Sequence, residues 1–132
     1  MRRRYTVYMS EENFEKLVSQ AIDNIPEIYQ SKIKNVLFKV EDFPSVEQRQ
    51  KLGLRDCDAL FGLYEGIPLT KRNGAVFSIV PDVITIFRRP MIDIYTNIKE
   101  LRKQVFETVW HEVAHYFGLD HEKIDKVKLQ SK

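Results

Sequence analysis

From Ser10 onward the apolar positions recur at intervals of three and four. Phe14, Leu17, Val18, Ala21, Ile22 and Ile25 fall on one side of a helical wheel, the pattern of a helix that buries a single face. Ser10 is placed to cap it, and Glu11 and Glu12 suit the positive end of its dipole. Pro26 lacks the N–H that the next helical hydrogen bond needs, so the helix breaks there. Glu27 to Asn35 reads as a shorter segment whose Ile28, Tyr29 and Ile33 face the core. The period then changes. Val36, Phe38 and Val40 alternate with Lys39 and Glu41, which predicts a strand running to about Phe43, with Pro44 ending it.

Ser45 to Asp58 is polar, and Ser45 with Gln48 has the form of a capping box, so the stretch reads as a short helix or solvated connector. A second apolar run, Ala59 to Tyr64, is followed by turn signals at Gly66 and Pro68, and Asn73-Gly74 is a strong turn dipeptide. Of the runs Val76 to Val80 and Val83 to Phe87, separated by Pro81-Asp82, the second is the better strand, closed by Arg88-Arg89-Pro90. Asn97 with Glu100 resembles a capping box opening the last long helix. Its core stripe is traced by Ile98, Leu101, Val105, Val109, Val113 and Phe117. Leu119 to Lys132 is predicted as a short terminal helix. Helix, strands, then helix make an α+β arrangement, expected as a single domain over residues 1–132.

Composition changes this picture little. Hydrophobic residues make up 43% of the chain and charged residues 30%, which suits a soluble globular protein that needs no disulfide to hold its core. The lone Cys57 excludes an intrachain disulfide and fits a reducing compartment. Arg2 to Arg4 is not followed by the apolar region of a signal peptide, and no window approaches a membrane span; the expected location is cytoplasmic. A net charge of +2 gives no reason to expect nucleic acid as a partner.

The candidate chemistry lies near the end of the last helix. All three histidines fall within His111-Glu112-Val113-Ala114-His115-Tyr116-Phe117-Gly118-Leu119-Asp120-His121. Residues four apart on a helix sit one above the other, so His111 and His115 can point imidazoles at one ion. Glu112 lies about 100° round the axis from His111, within reach of a water on that ion. Gly118 can adopt positive φ and turn the chain back, bringing Asp120, His121 or Glu122 towards the metal as a third ligand. The pattern H-E-x-x-H-x-x-G-x-x-H is the long zincin signature of metalloproteases. One helical histidine is ordinarily a solvated side chain; three at ligand spacing with a Glu and a Gly read as a metal site. Three protein ligands leave a fourth position for water, whereas structural zinc sites usually close with four ligands and often use Cys. His111 and His115 also fall on a different face from the core stripe, which suits ligands lining a cleft.

Four stretches of the chain resemble the small zincin-like family of bacterial proteins described as possible metallopeptidases. They are Phe14 to Pro26, Val36 to Pro44 ending Val40-Glu41-Asp42-Phe43-Pro44, Leu60 to Leu69 with Leu63-Tyr64 and Gly66-Ile67-Pro68-Leu69, and Val105 to Leu119 around the motif. The resemblance implies a minimal zincin-like fold, a small mixed β-sheet packed on an N-terminal helix and an active-site helix. It also implies His111 and His115 as zinc ligands and Glu112 as general base. His121 matches metzincin spacing, and imidazole suits zinc, which favours it as third ligand; some relatives use an acidic residue there, which keeps Asp120 and Glu122 in play. Metzincins place a methionine turn after the motif. No Met follows Met91, so the chain reads as a compact zincin with a metzincin-like ligand set.

The expected function is zinc-dependent hydrolysis of a peptide or protein substrate, with Glu112 as general base towards a metal-activated water. An extended peptide would lie along an exposed sheet edge, for which Val83 to Phe87 is the candidate, a buried structural strand being the alternative reading of that segment. Help at the oxyanion would come from Tyr64, Tyr116 or an Arg. Two other readings compete. Gly118-Leu119-Asp120-His121 also fits the bacterial rRNA-maturation metal hydrolases, with Arg88, Arg89, Lys71 and Arg72 as RNA contacts, but that family does not generally place Glu after the first His. A catalytically silent, metal-stabilised interaction domain is the other.

Overall fold

The computed structural model describes residues 9–55, 57–72 and 80–119. The first amphipathic repeat forms helix α1, Glu11–Asp23, whose cap Ser10 accepts a hydrogen bond from the Asn13 N–H at 3.1 Å. Phe14, Leu17, Val18, Ala21 and Ile25 are buried along its inner face and just beyond it. Pro26 restarts the chain as one turn, α2, Glu27–Gln30. Of its expected core residues only part is covered: Tyr29 sets its ring edge-on against Trp110 and Phe117, whereas Ile28 is 64% exposed. A single turn can bury only one side, and Tyr29 occupies it.

Strand β1, Val36–Glu41, keeps the expected alternation, with Val36, Phe38 and Val40 turned inward and Leu37, Lys39 and Glu41 outward. It stops short of Phe43, which is exposed and lies under the Arg89 guanidinium. Ser45 and Gln48 form the reciprocal capping box of α3, Val46–Leu52, which ends at Gly53 in the left-handed region. Strand β2, Gly62–Glu65, follows, then a 3₁₀ turn at Leu69–Lys71, strand β3, Asp82–Phe87, and α4, Arg88–Ile94. The Arg88-Arg89-Pro90 stretch read as the close of a strand is therefore also the first turn of a helix. The longest element, α5, spans Ile98–Phe117. Asn73-Gly74, most of the 76–80 run and the predicted terminal helix lie outside the described residues.

The three strands form one mixed sheet in the order β1-β3-β2. β1 and β3 run parallel from Val36 opposite Asp82 to Glu41 opposite Phe87, and β2 runs antiparallel with Gly62 opposite Ile86 and Glu65 opposite Val83. This is the minimal zincin-like fold expected, with one correction. Val83 to Phe87 is the middle strand, hydrogen-bonded on both sides, so it offers no edge to a peptide. Its Ile84, Thr85, Ile86 and Phe87 are all buried, the property of a strand covered on both faces. Among the described residues the edges are β1 and β2.

Helix α5 packs on α1 and across β2 and β3. Leu101, Val105, Val109 and Val113 are fully buried, joined by Trp110, Ala114 and Tyr116. Ile98 is 42% exposed, so the stripe starts one turn later than the spacing suggested. Arg88 is buried beside the sheet, where its guanidinium donates to Asp42 Oδ1 at 2.9 Å and to the Met9 carbonyl at 2.6 Å. Among the described residues no helix is long and apolar enough to cross a membrane.

Leu101→Ala should cost about 2–5 kcal/mol through the lost transfer energy and the cavity left behind. Ile98→Ala should change stability by less than about 0.5 kcal/mol, as expected for an exposed position. Urea unfolding of the two variants beside the parent checks both.

Candidate metal centre

Both ends of α5 are held, which fixes the phase of everything between them. Asn97 Oδ1 accepts from the N–H groups of Lys99 at 2.8 Å and Glu100 at 3.4 Å. At the other end Gly118 has φ 77°, and the N–H groups of Gly118 and Leu119 bond to the carbonyls of His115 and Ala114. That is a Schellman closure, which only a residue at ease in the left-handed region completes without strain. Thr70 packs so closely on Gly118 that a Cβ there would overlap it.

Within this frame the buried face takes Trp110, Val113 and Ala114, and the half-buried His111 and His115 stand at its margin. Their rings lie on successive turns with centroids 4.5 Å apart. Glu112 is only 7% exposed, and its Oε1 is 3.2 Å from His115 Nδ1. That hydrogen bond raises the His115 pKa, against the lowering effect of burial. When neutral His115 donates from Nδ1 to Glu112, Nε2 keeps the lone pair through which an imidazole ligates metal. One donor atom each from His111, Glu112 and His115 lie within 4.8 Å of one another. The two imidazoles supply nitrogen donors that suit a divalent zinc ion, and the Glu112 carboxylate lies beside them.

Strand β2 lies directly over this turn of helix. At Gly62 a Cβ would stand 2.7 Å from Thr108 Cγ2 and 3.2 Å from Glu112 Cγ, so the strand passes closer than a side chain would permit. A glycine within an apolar run is the sequence signal of such an approach, and it was available in Ala59 to Tyr64. Beside it a hollow of about 250 Å³ opens between Leu60 and Phe61 on one wall and Gln104, Glu107 and Thr108 on the other, with His111 and Glu112 at its end. Glu107 was missed from sequence, although the i, i+4, i+8 spacing of Glu107, His111 and His115 puts all three on one face.

The expected oxyanion donors are engaged elsewhere. The Tyr64 hydroxyl donates to Asp82 Oδ2 at 2.7 Å, and burial together with that carboxylate pushes its pKa up. The Tyr116 hydroxyl is tied to the backbone of Lys34, donating to the carbonyl and accepting from the N–H. Arg72 is paired with Asp82 and donates to the Ile67 carbonyl. The cations of the RNA reading are likewise partly used up: Arg88 and Arg72 bond inward, Arg89 pairs with Asp93, and Lys71 is exposed. His121 and its acidic rivals Asp120 and Glu122 lie outside the described residues.

A two-imidazole, one-carboxylate cluster on a helix under an antiparallel edge strand is the equipment of a metal-dependent hydrolase. The model of the zincin-like metallopeptidase family matches residues 33–130, and the chain belongs to that family. The match begins after α1, so the likeness read at Phe14 to Pro26 falls outside it. A search of the curated proteins finds no match.

Gly62→Ala should lower stability by about 1–3 kcal/mol through overpacking against α5. Thr108→Ser removes the methyl that the new Cβ strikes, so the double variant should recover part of that loss. A double-mutant cycle by chemical denaturation measures the coupling.

Proposed function

We propose that the protein is a zinc-dependent peptidase. The observation that carries this reading is the buried Glu112 carboxylate beside two half-exposed imidazoles on one helix. His111 and His115 would hold the ion, with His121 as third ligand and Asp120 or Glu122 as its rivals. Bound zinc would act as a Lewis acid and lower the pKa of water towards about 7.

The remaining work belongs to the chain. Glu112 takes the proton from the attacking water on a carboxylate oxygen and returns it to the leaving amine, the ordinary duty of a general base that then acts as acid. Its burial keeps competing solvent from that oxygen, and its hydrogen bond to His115 holds the carboxylate at the helix margin. The Schellman closure at Gly118 redirects the chain immediately after the second imidazole, as a third ligand from residues 120–122 requires. An extended peptide would add to the outer edge of β2, whose other edge is taken by β3, with backbone hydrogen bonds giving affinity and little sequence preference. This transfers the substrate edge from Val83–Phe87 to the strand that touches Glu112.

Metal analysis and peptide hydrolysis should be run on the parent, His111→Ala, His121→Ala and Glu112→Gln. The expected pattern is zinc lost in His111→Ala, and zinc retained in Glu112→Gln with hydrolysis reduced about 10²–10⁴-fold. His121→Ala weakens zinc binding if it is the third ligand. Hydrolysis surviving intact in Glu112→Gln would remove the general-base assignment; zinc binding without cleavage in the parent would favour a metal-stabilised interaction domain.

A further inference from the structure

The hollow that adjoins Glu112 has a chemistry of its own. At about 250 Å³ it is below the 300–1,000 Å³ range typical of whole-ligand pockets. It therefore suits one side chain of a larger substrate. Leu60 and Phe61 form an apolar wall from one side. Across from them the polar groups of α5 are mostly spent: Gln104 Oε1 accepts from the Tyr95 hydroxyl just after α4 at 2.9 Å, and Gln104 Nε2 donates to Thr108 Oγ1 at 3.0 Å. Glu112 is engaged with His115. Glu107 is the exception. It is half-buried, lines the hollow, and among the described residues forms no hydrogen bond or ion pair, Lys103 one turn earlier included.

An apolar wall facing a single uncommitted carboxylate matches a side chain with an aliphatic stem and a cationic head. The stem of Lys or Arg covers apolar surface while its head reaches a charged acceptor. A neutral apolar side chain would leave Glu107 partly desolvated without a partner, and an acidic one would be repelled. We propose that this hollow is a specificity subsite that takes the basic side chain of a residue next to the scissile bond, with Glu107 as the group that selects it. This rests on the peptidase reading for the bond that is cut, and on the hollow alone for what is bound.

Two measurements separate those layers. In the first, a randomised peptide library is digested with the parent, Glu107→Gln and Glu107→Lys, and residues flanking each cut are read by mass spectrometry. The parent should enrich Lys and Arg about tenfold over norleucine at one flanking position, the effect of about 1.4 kcal/mol. Glu107→Gln should bring that ratio to about one, and Glu107→Lys should invert it in favour of Asp and Glu, which a merely structural role for Glu107 would not do. In the second, two peptides that differ only by Lys or norleucine are titrated calorimetrically into Glu112→Gln and into Glu112→Gln/Glu107→Gln. The Lys peptide should bind about tenfold tighter to the first protein and equally to the second. Cleavage with no basic preference, a preference that survives Glu107→Gln, or equal binding of the two peptides to Glu112→Gln would each overturn the subsite. Selective binding by Glu107 without any cleavage would instead sustain the subsite and overturn the peptidase reading.

Discussion

At Gly62 a strand and a helix come together more closely than any side chain would allow, and the arrangement of the site follows from that approach. With β2 seated on α5 there, Thr108 and Glu112 have no room to swing towards the sheet. The antiparallel pairing of Gly62 with Ile86 carries the constraint into β3, whose buried Ile84 and Ile86 belong to the same core as Val105, Val109 and Val113 of α5. Helix rotation is thus limited from two sides. The sheet fixes how near α5 may come, and α1, with Phe14 and Leu17, fixes which face turns inward. The caps at Asn97 and Gly118 close both ends.

Burying Glu112 inside that contact has an electrostatic cost. A carboxylate removed from water is tolerated when it is paired and hydrogen-bonded, and His115 supplies the partner from the next turn of the same helix. Local spacing therefore does two jobs. It gathers the donor atoms of His111, Glu112 and His115 within one small volume, and it gives the desolvated Glu112 carboxylate a hydrogen-bond partner. The tyrosines and Arg72 that line the other flank are spent on structure. Tyr64 and Arg72 converge on Asp82, and Arg72 also lies over the Tyr116 ring, so this flank braces the loop that presses Thr70 onto Gly118.

What could be read from the residues follows the range of the interaction. His111, Glu112 and His115 are related by helix geometry within five positions, and spacing alone brought them together. The caps at Ser10, Ser45 and Asn97 are equally local, and each is found where the side-chain oxygen predicted it. Non-local pairing left no such mark. Val83 to Phe87 reads as a strand in isolation, but its place between β1 and β2 depends on parallel pairing with a segment 46 residues earlier, which no periodicity encodes. Its nearly continuous apolar run was the available hint, since an edge strand with one face in water would alternate. Ile28 and Ile98 erred for a related reason: they fit the stripe of their own helix, but the packing of the other elements leaves them 64% and 42% exposed.

The circumference of α5 is divided into a structural sector and a chemical one, and their boundary runs between adjacent residues. Trp110 is wholly buried, while His111 stands at the margin; Ala114 is wholly buried, and His115 stands at the margin one turn on. Because 3.6 residues make a turn, side chains at 107, 111 and 115 drift only about 40° per step along that margin. The same drift that leaves both imidazoles accessible carries Glu107 into the hollow beside them. The candidate metal cluster and the hollow beside it thus draw on successive turns of one line of side chains. A core substitution that rotated α5 would disturb both together, whereas a change at Glu107 alone leaves the packing sector untouched.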